Sequence, residues 1–410
     1  MEIFGLIGKN LSHSRSPQIH ALLGDYEYRL FELDEDKVGP FLTRREFSAV
    51  NVTIPYKKTV MPFLDRTDDL ARKIGSVNTV IKEEDGSLTG YNTDYYGFSA
   101  MLKNAGISLD GKRVLILGSG GASAAASAAA RDSEAACVTV VSRSGHPNYG
   151  ELSPYSDTEI LINSTPVGMY PNNLVSPVDI DMFPRLEAVV DMIYNPARTL
   201  LVMNARERNI RTVTGLYMLV AQGKRAAELF FKKPIPEDER IDQAFGRLSR
   251  DMQNIVLIGM PGSGKTTVGK ALARSLGRDF VDTDEMITFR TGMSIPEFFA
   301  KYGEERFREV ESEAAREAGK QNGCVISAGG GIVTKKENYY ALKQNGVIFW
   351  LKRDLSLLPT DGRPLSQSND IKKLYKAREP LYKGFADHEV RNSARIEDTV
   401  NMITALSGYR

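Results

Sequence analysis

The chain has 410 residues, 42% of them hydrophobic and 26% charged, with a formal net charge of +1. That length exceeds one ordinary core and fits two or three domains, while the balanced charge excludes a basic nucleic-acid footprint. Two cysteines in opposite halves (Cys137, Cys324) and only four histidines argue against a disulfide framework or a histidine-built metal centre. No run of about 18 apolar residues exists, so no membrane span is expected. The opening MEIFGLIG is strand-like and lacks a basic n-region, so no signal peptide and a cytoplasmic setting are expected.

The first 110 residues alternate strand and helix patterns. EIFGLIG reads as a strand. SPQIHALL starts a helix with Ser16 as cap and Pro17 in its first turn. YEYRLFEL and FSAVNVTI are strand-like, and SVNTVIKEEDGSLTGYNTD reads as a hairpin turning at Asp85-Gly86. A second unit spans 111–214. The buried strand RVLILG leads into Gly118-Ser119-Gly120-Gly121 and an alanine-rich helix, and further strands at CVTVVSR, EILINSTPVG and AVVDMIY imply a parallel sheet. The stretch 215–232 is a long amphipathic helix that returns to the first unit. Residues 232–251 are polar, with two early prolines, and read as the connector, its second part open to a helix. A fresh strand, NIVLIG, opens a third unit over 252–410. The fold class expected is α/β: a substrate domain, a shortened Rossmann-like dinucleotide domain, then a P-loop NTPase-like domain.

The strongest motif is Gly259-Met260-Pro261-Gly262-Ser263-Gly264-Lys265-Thr266, which fits G-x-x-x-x-G-K-[ST] between a strand and a helix. Its backbone N–H groups and the helix N-terminus suit phosphate. Lys265 suits the β- and γ-phosphates of ATP, and Thr266 suits magnesium. The next strand ends in Phe280-Val281-Asp282-Thr283-Asp284, and strand alternation sets Asp282 and Asp284 on one side, near its carboxyl end. Two facing carboxylates fit magnesium and an acceptor hydroxyl.

The dinucleotide side is weaker taken alone. The third fingerprint position is Ser123, and the following strand ends in Ser142-Arg143-Ser144 with no acid for a ribose. Arginine there favours a 2′-phosphate and so NADP(H). In the N-terminal unit, His13-Ser14-Arg15-Ser16-Pro17, Asn51-Val52-Thr53-Ile54-Pro55-Tyr56-Lys57, Asn78-Thr79 and Asn92-Thr93-Asp94 gather short polar groups at strand ends. That is a pocket for a polyol, with Lys57 and Asp94 as an acid–base pair.

The third unit resembles shikimate kinase over essentially all of 252–410. The resemblance implies that Asp284 bonds the accepting hydroxyl and serves as base, with Asp282 ordering magnesium through water. Arg308 and Arg378 clamp the shikimate carboxylate, and Gly329, Gly330 and Gly331 line the pocket with backbone N–H groups. Gly262, Ser263, Gly264, Lys265, Thr266 and Thr267 hold ATP, and Arg363 is the lid arginine. The segment Leu355–Thr360 carries no adenine-side arginine, a departure from the family. Residues 1–235 resemble shikimate dehydrogenase, on the H-S-x-S-P, N-V-T-x-P-x-K and N-T-D motifs. That likeness implies shikimate contacts from Ser14, Ser16, Thr53, Asn78, Asp94, Tyr194 and Gln222, with Lys57 catalytic. It places Gly118, Gly120, Gly121, Ala122, Ser142, Arg143, Thr165, Met192 and Gly215 around NADP. Only about 20 residues join CVTVVSR to ILINSTP, so this domain looks trimmed, and NADP preference rests mainly on Arg143.

Together the two likenesses imply reduction of 3-dehydroshikimate and phosphorylation of shikimate, by a monomer or weak homodimer with small-molecule partners only. Three rivals are weighed. One half could be a decayed, structural module, but Lys57, Asp94, Lys265 and Asp284 are all present. A quinate-type dehydrogenase is disfavoured by the Ser14 and Ser16 pair. A P-loop switch without catalysis would not need paired carboxylates and two clamping arginines.

Overall fold

The computed structural model describes residues 2–12, 14–236, 239–358, 371–393 and 395–408. The chain forms two compact units, one of Met1–Met169, Val175–Tyr194 and Leu201–Arg247, the other of Tyr170–Leu174, Asn195–Leu200 and Leu248–Arg410.

The first unit begins with β1 (Phe4–Gly8), α1 (Ser16–Leu23), β2 (Tyr28–Glu32), α2 (Glu35–Arg44), β3 (Ala49–Val52), β4 (Arg66–Thr67), α3 (Asp69–Ile74), β5 (Thr79–Lys82), β6 (Leu88–Tyr91) and α4 (Asp94–Ala105). Their sheet has the order β2-β1-β3-β5-β6-β4. β1 runs parallel to β2 and β3, whereas β5 is antiparallel to β3 and β6. Every residue of β1 is buried, as an unbroken apolar FGLIG segment covered on both faces should be. The β5–β6 hairpin turns at Asp85-Gly86, where Gly86 takes φ 79° and Asp85 accepts from the Ser87 N–H and hydroxyl. Ser16 is the first helical residue of α1 instead of its cap; the cap position is Arg15, and Ser14 Oγ accepts the Ser16 N–H at 3.3 Å.

A second sheet in this unit holds β7 (Arg113–Leu117), β8 (Cys137–Val141), β9 (Ile160–Asn163), β10 (Ala188–Asp191) and β11 (Arg211–Thr214), with α5 (Gly121–Asp132) and α6 (Leu200–Glu207) among the connections. All pairings are parallel, in the order β11-β10-β9-β7-β8. The direction of winding reverses between β7 and β9, which opens a crevice outside their carboxyl ends. β8 is an edge strand, and the segment joining it to β9 carries only a 3-10 turn at Ser153–Tyr155. α7 (Leu216–Phe231) packs on α4 and α1.

α8 (Glu239–Met252) replaces much of the polar connector expected at 232–251. Ile241, Ala244, Leu248 and Met252 recur every three or four residues and are all buried.

The second unit contains β12 (Asn254–Ile258), α9 (Lys265–Leu276), β13 (Phe280–Asp282), α10 (Thr283–Thr291), α11 (Ile295–Lys320), β14 (Val325–Ser327), α12 (Lys336–Lys343), β15 (Gly346–Lys352), α13 (Ile371–Phe385), β16 (His388–Arg391) and α14 (Ile396–Leu406). The sheet is wholly parallel, in the order β13-β14-β12-β15-β16. Its two faces are both buried: Val256, Ile258 and Trp350 belong to one core, Ile255, Leu257 and Phe349 to the other. α11 starts with a capping box between Ser294 and Glu297 and kinks at Gly303, whose φ is 78°.

Candidate active sites

In the first unit, the loop after β3 delivers Lys57 and the start of α4 delivers Asp94. Lys57 Nζ donates to Asp94 Oδ2 at 2.5 Å, and Asn78 Nδ2 donates to Asp94 Oδ1 at 2.9 Å. The Lys57 and Asp94 side chains are only 16% and 6% exposed. The N-terminus of α4 adds a dipole that favours the carboxylate. Asn78 is fully committed within the protein: its second N–H goes to Thr93 Oγ1 at 3.0 Å, and its Oδ1 accepts the Thr93 N–H at 2.7 Å. These bonds tie Asn78 to Asp94 and Thr93, beside the substrate contact expected of it. Gln222, on α7, accepts from Thr93 Oγ1 at 3.3 Å and donates to the Leu219 carbonyl. Thr53 packs so closely on β1 that a Cβ at Gly8 would lie 2.5 Å from its methyl group. Ser16 is buried. Burial pushes the Tyr194 phenol up, and the Arg15 charge acts against that, which places Tyr194 within electrostatic reach of the Ser14–Ser16 turn.

The dinucleotide loop meets this pair. A Cβ at Gly121 would fall 2.7 Å from Ser76 Oγ and 3.3 Å from Lys57 Cδ. Gly118 adopts φ 107°, and Gly120 caps α5 with open space around it and no side-chain cap. Ser123, the imperfect third position of the fingerprint, has a job of its own: its Oγ donates to the Gly118 carbonyl at 2.6 Å and pins the loop. Ala122 follows in the same uncapped first turn. Free N–H groups, no acid in the first turn and open space fit a pyrophosphate. Across the crevice, Thr165 Oγ1 accepts the Val167 N–H and donates to Asn163 Oδ1. Gly215 has to be glycine, because a Cβ would lie 2.0 Å from the Met192 carbonyl oxygen. Ser142 is half-buried after β8, and Arg143 is exposed beside it.

In the second unit, Gly259, Gly262 and Gly264 hold φ of 147°, 83° and 94°, which wraps the loop between β12 and α9. Lys265 is buried and donates to the Gly259 and Met260 carbonyls at 3.0 and 3.1 Å. Ser263 Oγ is buried with no partner among the described residues. Gly264 leaves α9 without a side-chain cap, and Thr267 sits exposed in its first turn. An orphaned hydroxyl, a cation resting on loop carbonyls and an uncapped helix fit a triphosphate.

Thr266 Oγ1 donates to Asp282 Oδ2 at 2.9 Å. Among the described residues no group of three His, Cys, Asp or Glu could hold a metal. Magnesium placed at Thr266 and Asp282 would therefore complete its shell with phosphate oxygens and water. The two aspartates do not share one strand face, as alternation suggested. β13 ends at Asp282, which caps α10 and accepts the Asp284 N–H at 3.0 Å, so Asp284 sits in the first helical turn. Burial first, then the Asp282 charge, pushes the Asp284 carboxyl up to about 6.

The triple glycine clears room for charged side chains. A Cβ at Gly329 would lie 2.7 Å from Asp284 Oδ1 and 2.9 Å from Glu311 Oε1, and one at Gly331 would lie 1.9 Å from Arg308 Nη1. The Gly329 N–H is taken by Thr283 Oγ1 at 2.9 Å, so it does not face a ligand as expected. The Gly330 carbonyl accepts from Arg378 Nη1 at 3.2 Å and from the Tyr382 hydroxyl at 2.6 Å. Arg308 donates to Glu311 at 2.7 Å and to Glu304 at 2.9 Å. Glu311 and Tyr382 were missed in the sequence, although Glu311 lies at i+3 from Arg308 and Tyr382 at i+4 from Arg378. Arg363 lies outside the described residues.

The comparisons agree with this division. Residues 6–80 match the family described as shikimate dehydrogenase substrate binding domain, and residues 261–406 match shikimate kinase. A shikimate dehydrogenase (NADP(+)) of Clostridium perfringens is 38% identical over 251 residues, covering 56% of this chain and 92% of that protein. A chorismate mutase/shikimate 5-dehydrogenase fusion from Clostridium acetobutylicum superimposes with TM-score 0.57 at 37% identity, covering 60% of this chain and 97% of that one. Shikimate 5-dehydrogenase from Thermus thermophilus, solved with NADP(H) and shikimate, gives TM-score 0.55 at 31% identity over 60% of this chain and 99% of that one. The chain belongs to the shikimate dehydrogenase family and carries a shikimate kinase domain fused behind it.

Proposed function

We propose that this bifunctional enzyme reduces 3-dehydroshikimate to shikimate and then phosphorylates shikimate at its 3-hydroxyl. The observation that carries the reading is that each half sets one proton-transferring side chain against its own glycine loop: Lys57 beside Gly121, and Asp284 beside Gly329. When bound, NADPH supplies a hydride and ATP a phosphoryl group.

Lys57 passes a proton to the substrate oxygen as the carbonyl carbon is reduced, and Asp94 holds the ammonium in line. Ser14, Ser16, Thr53, Tyr194 and Gln222 bind the polyol, while Asn78 acts chiefly through Asp94. The uncapped turn at Gly120–Ala122 holds the pyrophosphate, and Arg143 the 2′-phosphate. In the kinase unit, Lys265 exchanges its loop carbonyls for phosphate oxygens. Asp284, already raised toward neutral pH, accepts the proton of the attacking hydroxyl. Arg308 and Arg378 hold the shikimate carboxylate, with forks that suit bidentate contact.

Among the described residues no helix is long and apolar enough to cross a membrane. A cytoplasmic monomer or weak homodimer with no nucleic-acid or membrane partner is our reading of the setting. The test is a split assay on the full chain, following NADPH oxidation with 3-dehydroshikimate and, separately, ADP release with shikimate, magnesium and ATP. Both signals are expected. Loss of the reductase signal alone would refute the dehydrogenase assignment and leave the kinase standing.

A further inference from the structure

The dehydrogenase pocket contains a buried hydrogen-bond chain that the proton-transfer pair does not account for. The Tyr28 hydroxyl donates to Asn51 Oδ1 at 2.7 Å, and Asn51 Nδ2 donates to Thr79 Oγ1 at 3.0 Å. Thr79 Oγ1 donates to Asn78 Oδ1 at 3.2 Å, and Asn78 Nδ2 donates to Asp94 Oδ1 at 2.9 Å. Every donor points the same way, and the chain ends on a carboxylate, which only accepts while ionised. Asn51, Thr79 and Asn78 are all buried, so water has little room to replace a missing link.

The first donor therefore matters most. An amide presents oxygen on one side and nitrogen on the other, and its partners decide which way it faces. At Asn51 the Tyr28 hydroxyl is the donor on the oxygen side at 2.7 Å, with the His20 imidazole also acting on that amide. Tyr28 is itself held firmly. Its ring stacks on His20 with centroids 3.9 Å apart. Burial keeps that imidazole neutral, and its Nδ1 bonds the Tyr26 hydroxyl at 2.5 Å. The Ser16 side chain acts against the upward push of burial on the Tyr28 phenol, which places it nearby.

We propose that Tyr28 is a positioning residue of the dehydrogenase: its hydroxyl orients Asn51 and, through it, Thr79 and Asn78, and so sets affinity and hydroxyl-position selectivity for the polyol. The proposal rests on the dehydrogenase reading above. It separates binding from proton transfer, because Tyr28 touches neither Lys57 nor the reacting atoms.

The test uses the full chain, with shikimate oxidation by NADP as the dehydrogenase assay. Tyr28→Phe removes the first donor, and Thr79→Val cuts the chain on the other side of Asn51. Each is expected to raise KM for shikimate about tenfold with kcat within about threefold, the size of a lost buried hydrogen bond. Preference over an analogue lacking one ring hydroxyl should fall by a similar factor. The double variant should be less than multiplicative, since both changes break one chain. Kinase parameters, which these residues do not touch, report whether the chain is folded. KM within about twofold for both variants, or a fall in kcat at constant KM, overturns the proposal while the dehydrogenase reading stands. If Tyr28→Phe does not fold, Thr79→Val decides on the same criteria. A wild-type chain that does not oxidise shikimate sinks the reading and the proposal together.

Discussion

The two candidate sites bury charge in opposite ways. At the dehydrogenase site both Asp94 oxygens are bonded, one to Lys57 and one to Asn78. At the kinase site Asp284 lies against Asp282 and Glu311, and among the described residues no side chain hydrogen-bonds its carboxylate. Nearby, Ser263 Oγ has no partner among the described residues and Lys265 rests on loop carbonyls. The carboxylate of the first site is held on both oxygens, whereas that of the second has no such hydrogen bonds among the described residues. A site that moves a proton to a neutral carbonyl gains from being assembled in advance. A site that receives a highly charged ligand gains from holding its charged groups by bonds that the ligand can replace.

The sharpest way to break this comparison is to remove one proton-transferring group. Lys57→Ala should lower dehydrogenase kcat about 10³-fold, roughly 4 kcal/mol of barrier, with kinase kcat within about twofold. Comparable loss of both activities in steady-state assays would mean that the halves are not independent catalysts.

The next largest effect concerns the room made by glycine. Gly331→Ala puts a Cβ 1.9 Å from Arg308 Nη1, so the guanidinium must move. Losing a charge-assisted fork should raise the kinase KM for shikimate about 10- to 100-fold while kcat changes less. An unchanged KM would mean that Arg308 does not bind the substrate.

Asp284 offers a test by pH. Its carboxyl is pushed up to about 6 from an ordinary 3.8, so the folded chain is penalised when that group is charged. The penalty is present above pH 6 and fades below it as the group protonates. Asp284→Asn should therefore stabilise the magnesium- and nucleotide-free kinase unit at pH 7.5, by about 1–2 kcal/mol after discounting for solvent, and by less at pH 5. Thermal midpoints at the two pH values give the comparison. An advantage that does not shrink would show that burial does not disfavour the charge.

Much of this was legible in the sequence because glycine loops between a strand and a helix have few alternative uses. The hairpin at Asp85-Gly86 and the helix over 216–231 were readable for similar local reasons. Where the reading fell short, caps and packing decided what local pattern alone did not. The connector was read with its second part open to a helix, and α8 forms there because Ile241, Ala244, Leu248 and Met252 keep helical spacing. Asp282 ends its strand as read, but Asp284 was set on the same strand face, although an aspartate before Thr-Asp-Glu is also a helix cap. Glu311 was not singled out, and only packing shows it 1% exposed. Tyr28 carried no signal, since its bond to Asn51 spans two strands that do not pair with each other.

The smallest effect tests how far the kinase arginine is unprepared. Arg308 donates through Nη1 to Glu311, whose side chain is 2% exposed, and through Nη2 to Glu304, which is 53% exposed. The buried pairing is not easily broken, because it would leave a charge unpartnered in the interior. The exposed pairing costs little to exchange, and it occupies the donor that a substrate carboxylate would use. Glu304→Gln keeps the length and removes the charge. It should lower the kinase KM for shikimate about threefold, roughly 0.6 kcal/mol, with kcat and dehydrogenase activity unchanged. A rise in KM would mean that Glu304 aims Arg308 instead of competing for it. The kinase clamp would then be set in advance as fully as Lys57 is, and the contrast between the two sites would shrink to the phosphate end alone.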